Sequence, residues 1–311
     1  MHVIYVVVIL LAAFIIYRIR TKFLRKSIKV LRQRDMLAKD IQRQKEILGH
    51  RNKEMVDSLF YAQRIQKAML ISDRQFKEIM PDSFIVLRSK DIVNGDFYWI
   101  SRIQDKIFIA AVDCTGHGVP GAFISVIGLE LLRKIINTQN IYEPDRILEA
   151  LSSNLYEIFG NEEGTSLRDG MDIALCVLYK DQNYLDFSGA YCPLYIIRDS
   201  NLIEVKGDSF SVGPEFSNGK AILNNYKNNK VLLEPDDMIY IFSDGYADQF
   251  GGPEGKKFKY RRFRHLLLTI HKLPLENQKV YLEKSLDEWQ GNLEQLDDIL
   301  VIGFKHHPLK S

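Results

Sequence analysis

A chain of 311 residues, 46% hydrophobic and 26% charged, has enough apolar matter for a sizeable core and does not have the composition of a disordered protein. Its 42 basic and 40 acidic side chains leave a net charge of +2, with Arg18, Arg20, Lys22, Arg25, Lys26, Lys29, Arg32 and Arg34 crowded early and the remainder nearly balanced. This is a local basic stripe rather than the composition of a nucleic-acid binder, and Cys114, Cys176 and Cys192, without a CxxC pair, argue for a reduced compartment.

Met1 to Tyr17 holds no acid, Lys or Arg, and Val3 to Ile16 is continuously apolar. As a helix this segment would be about 25 Å long, near the lower limit for crossing the hydrocarbon core. A cleaved signal peptide carries its positive charge before the apolar run, whereas here the Arg/Lys cluster follows it. The flanks therefore predict a single-pass anchor over residues 1–17 in the inner (cytoplasmic) membrane, with the bulk of the protein in the cytoplasm.

Residues 18–79 read as a helical linker. From Thr21 to Ile71 there is no Pro and one Gly, and Leu24, Ile28, Leu31, Leu37, Ile41, Leu48, Met55, Leu59, Ala62 and Met69 recur at helical spacing. Ile41, Leu48, Met55, Ala62 and Met69 share one heptad phase and Leu24, Leu31 and Ala38 another, so a coiled coil changes register near residues 38–41. The expectation is a parallel homodimeric stalk, the alternative a monomeric helix packed on its own domain.

Pro81 marks the change into a region, 80–306, of short β-rich segments, followed by a tail at 307–311. Strands are expected at Phe84–Leu87, Phe97–Ile100, Ile107–Val112, Ile173–Tyr179, Tyr184–Ser188, Leu194–Arg198, Met238–Phe242 and Ile299–Phe304. Helices are expected at Gly121–Asn137, Pro144–Phe159 and Glu276–Trp289, and the grouping of the two kinds of element argues for an α+β layered domain.

Four Asp-bearing motifs stand at the ends or starts of these apolar runs: Val93-Asn94-Gly95-Asp96, Val112-Asp113-Cys114-Thr115-Gly116-His117-Gly118, Ser243-Asp244-Gly245 and Asp297-Asp298-Ile299. One Asp-Gly alone is most simply a turn. Carboxylates gathered at strand ends, without a matching Cys/His set, favour a hard cation, magnesium or manganese, over zinc. Asp113 is the strongest candidate, because a charge placed straight after the buried-strand pattern Ile107–Val112 must be paired or metal-bound.

These motifs, with Lys90–Phe97, Asp113–Phe123, Ser243–Phe250 and Asp297–Gly303 around them, resemble in order the signatures of the SpoIIE-type branch of the PPM (protein phosphatase 2C-like) Ser/Thr phosphatases, over roughly residues 80–306. The resemblance implies a central antiparallel β-sandwich flanked by helices on both sides, preceded by the transmembrane helix and stalk. It implies two divalent cations, Mn2+ or Mg2+, with Asp113 bridging them, the Cys114 backbone carbonyl on one, Asp244 on the second, Asp297 as the final ligand and Asp96 acting directly or through water. Two such ions would balance the four carboxylates. The implied reaction is hydrolysis of phosphoserine or phosphothreonine on a signalling protein by a water activated between two metals, without a phosphoenzyme. The implied partner is a phosphoprotein such as an anti-sigma-factor antagonist-like protein, with no nucleic acid. The alternative is a pseudophosphatase acting as a dimeric phosphoprotein-binding module; a coiled-coil membrane adaptor would leave the acidic motifs unused.

Other residues near the motifs carry less. Cys114 lacks the phosphate-cradling loop and Arg that a thiolate nucleophile needs. His117 is read as shaping the loop or supporting the ligands from behind, with a general acid as the alternative, and Asp248 as a helix-start or surface residue, with a carboxylate role beside Asp244 as the alternative. Asp169 and Asp172 match no defensible ligand, and Asp298 is read as a neighbour of the ligand Asp297. Asn94 and Leu300 depart from the commoner family pattern without removing a ligand. Gly251–Gly255 reads as a flexible turn leading into a basic, partly amphipathic segment, Lys256, Lys257, Lys259, Arg261, Arg262 and Arg264, either a solvated face or a docking site for an acidic partner.

Overall fold

The computed structural model describes residues 2–116, 118–159, 169–213, 215–217, 220–222 and 224–306. His117 and the expected tail at 307–311 lie outside the described residues. The chain forms two compact units, Met1–Leu59 and Phe60–Ser311. One helix, α1 (His2–Met69), runs through the first unit into the second. Among the described residues it is the one helix long and apolar enough to cross a membrane, with an 18-residue window of mean hydropathy 2.0, none of it buried within the chain. A short helix α2 (Asp73–Ile79) follows, its N-terminus closed by a capping box in which Ser72 and Gln75 satisfy each other's backbone N–H groups.

In chain order the second unit continues through β1 (Ser83–Arg88), β2 (Phe97–Ile103), β3 (Lys106–Cys114), α3 (Val119–Arg133, extended by a wide turn Lys134–Thr138), α4 (Pro144–Phe159), β4 (Met171–Tyr179), β5 (Tyr184–Ala190), β6 (Leu194–Arg198) and β7 (Asn201–Val205). A small ribbon, β8 (Glu215–Ser217) and β9 (Lys220–Ile222), precedes β10 (Asn229–Leu232) and β11 (Met238–Phe242). After a single helical turn, α5 (Gly245–Asp248), a hairpin of β12 (Phe250–Gly251) and β13 (Lys256–Lys257) leads to α6 (Lys259–Ile270), α7 (Leu275–Gln290) and β14 (Ile299–Lys305). The long strands build two five-stranded sheets, ordered β1-β14-β11-β6-β7 and β10-β5-β4-β3-β2, antiparallel at every pairing.

The alternation of side chains along each strand explains the layers. Ile107, Ile109 and Ala111 of β3 and Ala174, Cys176 and Leu178 of β4 meet Ile239, Ile241, Leu300 and Ile302 of the other sheet in a core between the sheets. Their neighbours Phe108, Ala110, Val112, Ile173, Leu175 and Val177 face outward under α3 and α4. On the opposite side Met238, Tyr240, Phe242, Ile299 and Val301 pack beneath Phe263, Leu267, Leu282 and Leu286 of α6 and α7. The central strands are thus buried on both faces, which is why their sequences are continuously apolar rather than alternating. The result is the expected α+β architecture, a central antiparallel sandwich with helices on both sides.

Differences from the expected elements fall at sheet edges, at the ribbon β8–β9, at the turn α5 and at α6. Strands β7 and β10 were not expected; each shows partly exposed, polar-rich alternation at a sheet edge. The stretch read as a turn and basic segment is a hairpin followed by a full helix, whose Phe263, Leu266, Leu267 and Ile270 are buried at helical spacing while its cations occupy the other face. Helix α3 starts at Val119, with Pro120 in its first turn, two residues before the expected Gly121.

Candidate metal centre

The acidic motifs meet at one end of the sandwich because antiparallel registers bring the relevant strand ends together. The start of β2 pairs with the end of β3 through Phe97 and Val112, and Asp113 and Cys114 pair with Asp172 and Met171 of β4. Asp113 continues the face of Ile107, Ile109 and Ala111, so it sits at the mouth of the gap between sheets, half-buried. In the other sheet β11 ends and β14 begins side by side, with the Ser243 N–H donating to the Leu300 carbonyl at 3.0 Å.

Ser243 ties the two sheets together at this point. Its Oγ accepts the Leu300 N–H at 2.9 Å and donates to Asp96 Oδ2 at 2.6 Å. Asp96 is buried, 2% exposed, and its carboxyl lies within hydrogen-bonding reach of that of Asp113. Asp244 follows Ser243 at the exposed start of α5 without capping that helix. A β-carbon at Gly245 would run into the Asp298 carbonyl, so only glycine lets this turn close against the start of β14.

The neighbouring acids at the head of β14 have different jobs. Asp298 is 3% exposed and accepts from the Lys90 N–H at 2.7 Å and the Gly95 N–H at 2.6 Å, pinning the loop that carries Asp96. Asp297 is exposed, and its Oδ1 accepts the Asp298 N–H at 2.9 Å. The same loop is held from behind by Gln66 near the end of α1. Gln66 is 5% exposed; its Nε2 donates to the Asn94 carbonyl at 2.5 Å and to Ser125 Oγ at 2.8 Å, while its Oε1 accepts the Asn94 N–H at 3.1 Å. Gly95 packs so tightly that an added methyl would lie 3.2 Å from the Gly116 carbonyl oxygen and 3.5 Å from that of Cys114. The Cys114 carbonyl therefore faces the Asp96 loop.

Electrostatics set this end of the molecule apart. Burial first, and the charges of Asp298 and Asp297 after it, raise the Asp96 carboxyl well above its usual range, with the Ser243 bond pulling the other way. Asp113 is raised by burial and then by Asp96, Asp244, Asp297 and Asp172. Asp244, partly desolvated and facing Asp248, Asp297 and Asp172, is pushed up to about 6. Asp298 is raised by burial, but the backbone N–H groups it accepts offset much of that. No cation is among the groups that dominate the proton affinity of Asp96 or Asp113, and an all-oxygen set of uncompensated carboxylates fits a hard divalent ion. Among the described residues, no three His, Cys, Asp or Glu side chains stand together at ready-made ligand spacing. The electrostatic cluster is present without a closed cage.

Of the predicted site residues, Asp96 and Asp113 are in direct proximity, Asp297 acts on both and Asp244 on Asp113 at longer range, and the Cys114 carbonyl faces the Asp96 loop. The Cys114 thiol is buried, and burial followed by Asp113 and Asp96 raises its pKa, the opposite of an activated nucleophile. Asp172, half-buried, accepts from Ser211 Oγ at 2.5 Å beside Asp113. Asp248 ends α5 and pairs with Lys257 at 2.6 Å. Sequence reasoning missed the positioning roles of Gln66, Ser243 and Asp298. Ser243 and Asp298 lay inside quoted motifs and could have been found there; Gln66 carried no local signal.

This fold and acid cluster define a PP2C-like phosphatase domain. The family model described as stage II sporulation protein E (SpoIIE) matches residues 104–307, and the chain belongs to that family, the SpoIIE-type branch of the PPM phosphatases. It is 32% identical to the SiaA-PP2C domain of Pseudomonas aeruginosa, over 82% of this chain and 98% of that one, with a TM-score of 0.74. The PP2C phosphatase domain with a fragment of the regulatory domain of SpoIIE from Bacillus subtilis shares the fold at 17% identity, over 74% of this chain and 64% of that one, with a TM-score of 0.58. The RsbU and RsbW domains of a Mycobacterium tuberculosis protein do so at 18% identity, over 74% and 62%, with a TM-score of 0.56. None of the curated proteins matches.

Proposed function

We propose that this chain is a membrane-anchored, metal-dependent protein phosphatase that removes phosphate from phosphoserine or phosphothreonine on a signalling protein. The observation that carries the reading is the gathering of Asp96, Asp113, Asp244 and Asp297 at four strand ends, where burial and neighbouring acids raise the proton affinity of Asp96, Asp113 and Asp244, with no cation prominent at the first two. In this reading these carboxylates and the Cys114 carbonyl hold two divalent ions, Mn2+ or Mg2+. Such ions, when bound, supply an acidified water and offset charge on the phosphoryl oxygens. The chain's own contribution is positional: Ser243 orients Asp96, Asp298 fixes the loop before it, and Gln66 braces that loop from α1. The apolar window of α1 and the cations after it support an anchor with the domain in the cytoplasm. The expected domain limits, anchor 1–17, linker 18–79 and phosphatase 80–306, and a homodimeric stalk belong to the same proposal. A phosphoprotein client of the anti-sigma-factor antagonist type belongs to the same proposal.

Hydrolysis of p-nitrophenyl phosphate by the full chain in detergent, with and without manganese, tests the reading, with Asp113→Asn and Asp244→Asn as controls. Manganese binding measured by calorimetry gives a second readout. Activity that survives chelation and both substitutions rejects it. The pseudophosphatase alternative draws on the absence of ready-made ligand spacing among the described residues; phosphoprotein binding without manganese binding or turnover would select it.

A further inference from the structure

A cavity of about 1060 Å³ lies away from the acids, in a groove along α6 and α7. Lys259, Arg261, Arg262, Arg264 and Lys284 line it, with Glu288 as the one carboxylate among its walls. Most of the surrounding cations are already committed. Arg264 donates to Tyr195 Oη at 2.8 Å and pairs with Glu204 at 2.9 Å. Arg262 lies 4.7 Å over the Trp289 ring, and Lys284 stands 3.7 Å from Glu288. Of the hairpin lysines, Lys256 pairs with Glu254 and Lys257 with Asp248. Lys259 and Arg261 are exposed and have no ion-pair partner among the described residues. The groove is thus left with surplus positive charge at the end where α6 begins.

That end adjoins the acid cluster. Phe258 donates its N–H to the Gln249 carbonyl at 2.9 Å, just after α5, and the Tyr260 ring lies 6.3 Å from Phe242, two residues before Asp244. A ligand reaching the acids on this side passes the first turn of α6.

We propose that the α6–α7 groove is a docking site for an acidic stretch of the phosphoprotein client, flanking the residue to be dephosphorylated, with Lys259 and Arg261 as its recognising cations. The proposal rests on the phosphatase reading. It is favoured over a lipid surface by continuity with the site, since Phe258 and Tyr260 tie the start of α6 to the segments on either side of Asp244.

The test compares two synthetic phosphoserine peptides, one flanked by Asp and Glu and the other by Asn and Gln, with the full chain in detergent and manganese. At low salt kcat/KM should favour the acidic peptide about tenfold, as two exposed ion pairs would give, and the preference should shrink as salt screens it. In Lys259→Glu/Arg261→Glu, and more mildly in Lys259→Gln/Arg261→Gln, the ratio should fall towards one while p-nitrophenyl phosphate turnover is unchanged. No preference in the unaltered protein, or one that survives both variants, overturns the proposal. So does loss of binding to phosphatidylserine vesicles in the variants with the peptide preference intact. Peptide affinity by fluorescence anisotropy separates the two readings: acid-selective binding without turnover rejects the phosphatase and keeps the groove, whereas turnover without selectivity rejects the groove.

Discussion

At the mouth of the sandwich, acids are crowded together with Asp96 and Asp298 buried and Asp113 half-buried. Along the β12–β13 hairpin and α6 a comparable crowd of cations stays at the surface, four of the six, Lys256, Lys257, Arg262 and Arg264, paired with a carboxylate, a carbonyl or a ring. Like charges in the first region cannot be relieved by solvent, so they act on one another and on anything that binds there. In the second, water and local partners absorb most of the charge, and what remains is selectivity rather than stability. The two regions should therefore respond very differently to the same class of substitution.

The sharpest break comes from Asp113→Asn. It removes the acid on which Asp96, Asp244, Asp297 and Asp172 all act, and manganese-dependent p-nitrophenyl phosphate turnover should fall about a thousandfold, the scale of losing a central electrostatic group. Because burial and the neighbouring acids raise the Asp113 carboxyl to about 10 in the metal-free chain, it is already neutral near pH 7 and the amide replaces it without loss of charge, so the metal-free protein should melt no lower than the unaltered one. A drop in both would mean that Asp113 is a structural residue.

Asp298→Ala should behave in the reverse sense. It strands the Lys90 and Gly95 N–H groups in a dry setting, and the expected loss of stability is about 3 kcal/mol by urea denaturation. Gln66→Ala leaves the Asn94 N–H without its partner and its carbonyl with only the longer contact from Ser125 Oγ at 3.4 Å, and should cost about 2 kcal/mol. If α1 communicates with the acids, Gln66→Ala also weakens manganese binding by calorimetry, whereas unchanged binding would reduce Gln66 to a brace.

These two residues mark the boundary of what the amino-acid sequence reveals. Strand β6 and strand β11 match their expected limits residue for residue, and α4 does too, because each is a buried run with the correct period and clear punctuation. The acid motifs were legible because a charge at the end of such a run is conspicuous. Helix α6 was hidden, since Lys259, Arg261, Arg262 and Arg264 crowd its first half and its burial exists only once β11 lies beneath it. Gln66 sits among polar helix residues, and its partner Asn94 is distant in the chain. Nothing local distinguishes it from Gln63. Asp297 and Asp298 are identical by composition, and only the packed loop at Gly95 decides which of them is buried.

A pH titration sharpens the contrast further. In the folded, metal-free chain Asp244 is raised from its ordinary 3.8 to about 6, so its protonated form favours the folded state. That contribution is complete below pH 3.8 and is lost as pH rises through about 6. Asp244→Asn does not titrate there. In chelator, the melting temperature of Asp244→Asn minus that of the unaltered protein should increase between pH 4 and pH 7, and manganese should reverse the sign at pH 7. A constant difference would show that Asp244 is too solvated to feel its neighbours.

The smallest effect is expected where the two regions touch. Lys257 pairs with Asp248 at 2.6 Å, with both side chains substantially exposed, and such pairs contribute about 0.5 kcal/mol or less. Lys257→Ala should therefore leave the urea midpoint nearly unchanged. It does remove the cation that lowers the proton affinity of Asp244 while freeing the Asp248 charge that raises it. The pH at which the Asp244-dependent difference in melting temperature appears should then move upward, with little change in stability at pH 4. A shift downward, or a large loss of stability at every pH, would mean that the hairpin is held by this pair and that the electrostatic separation of the two regions is wrong.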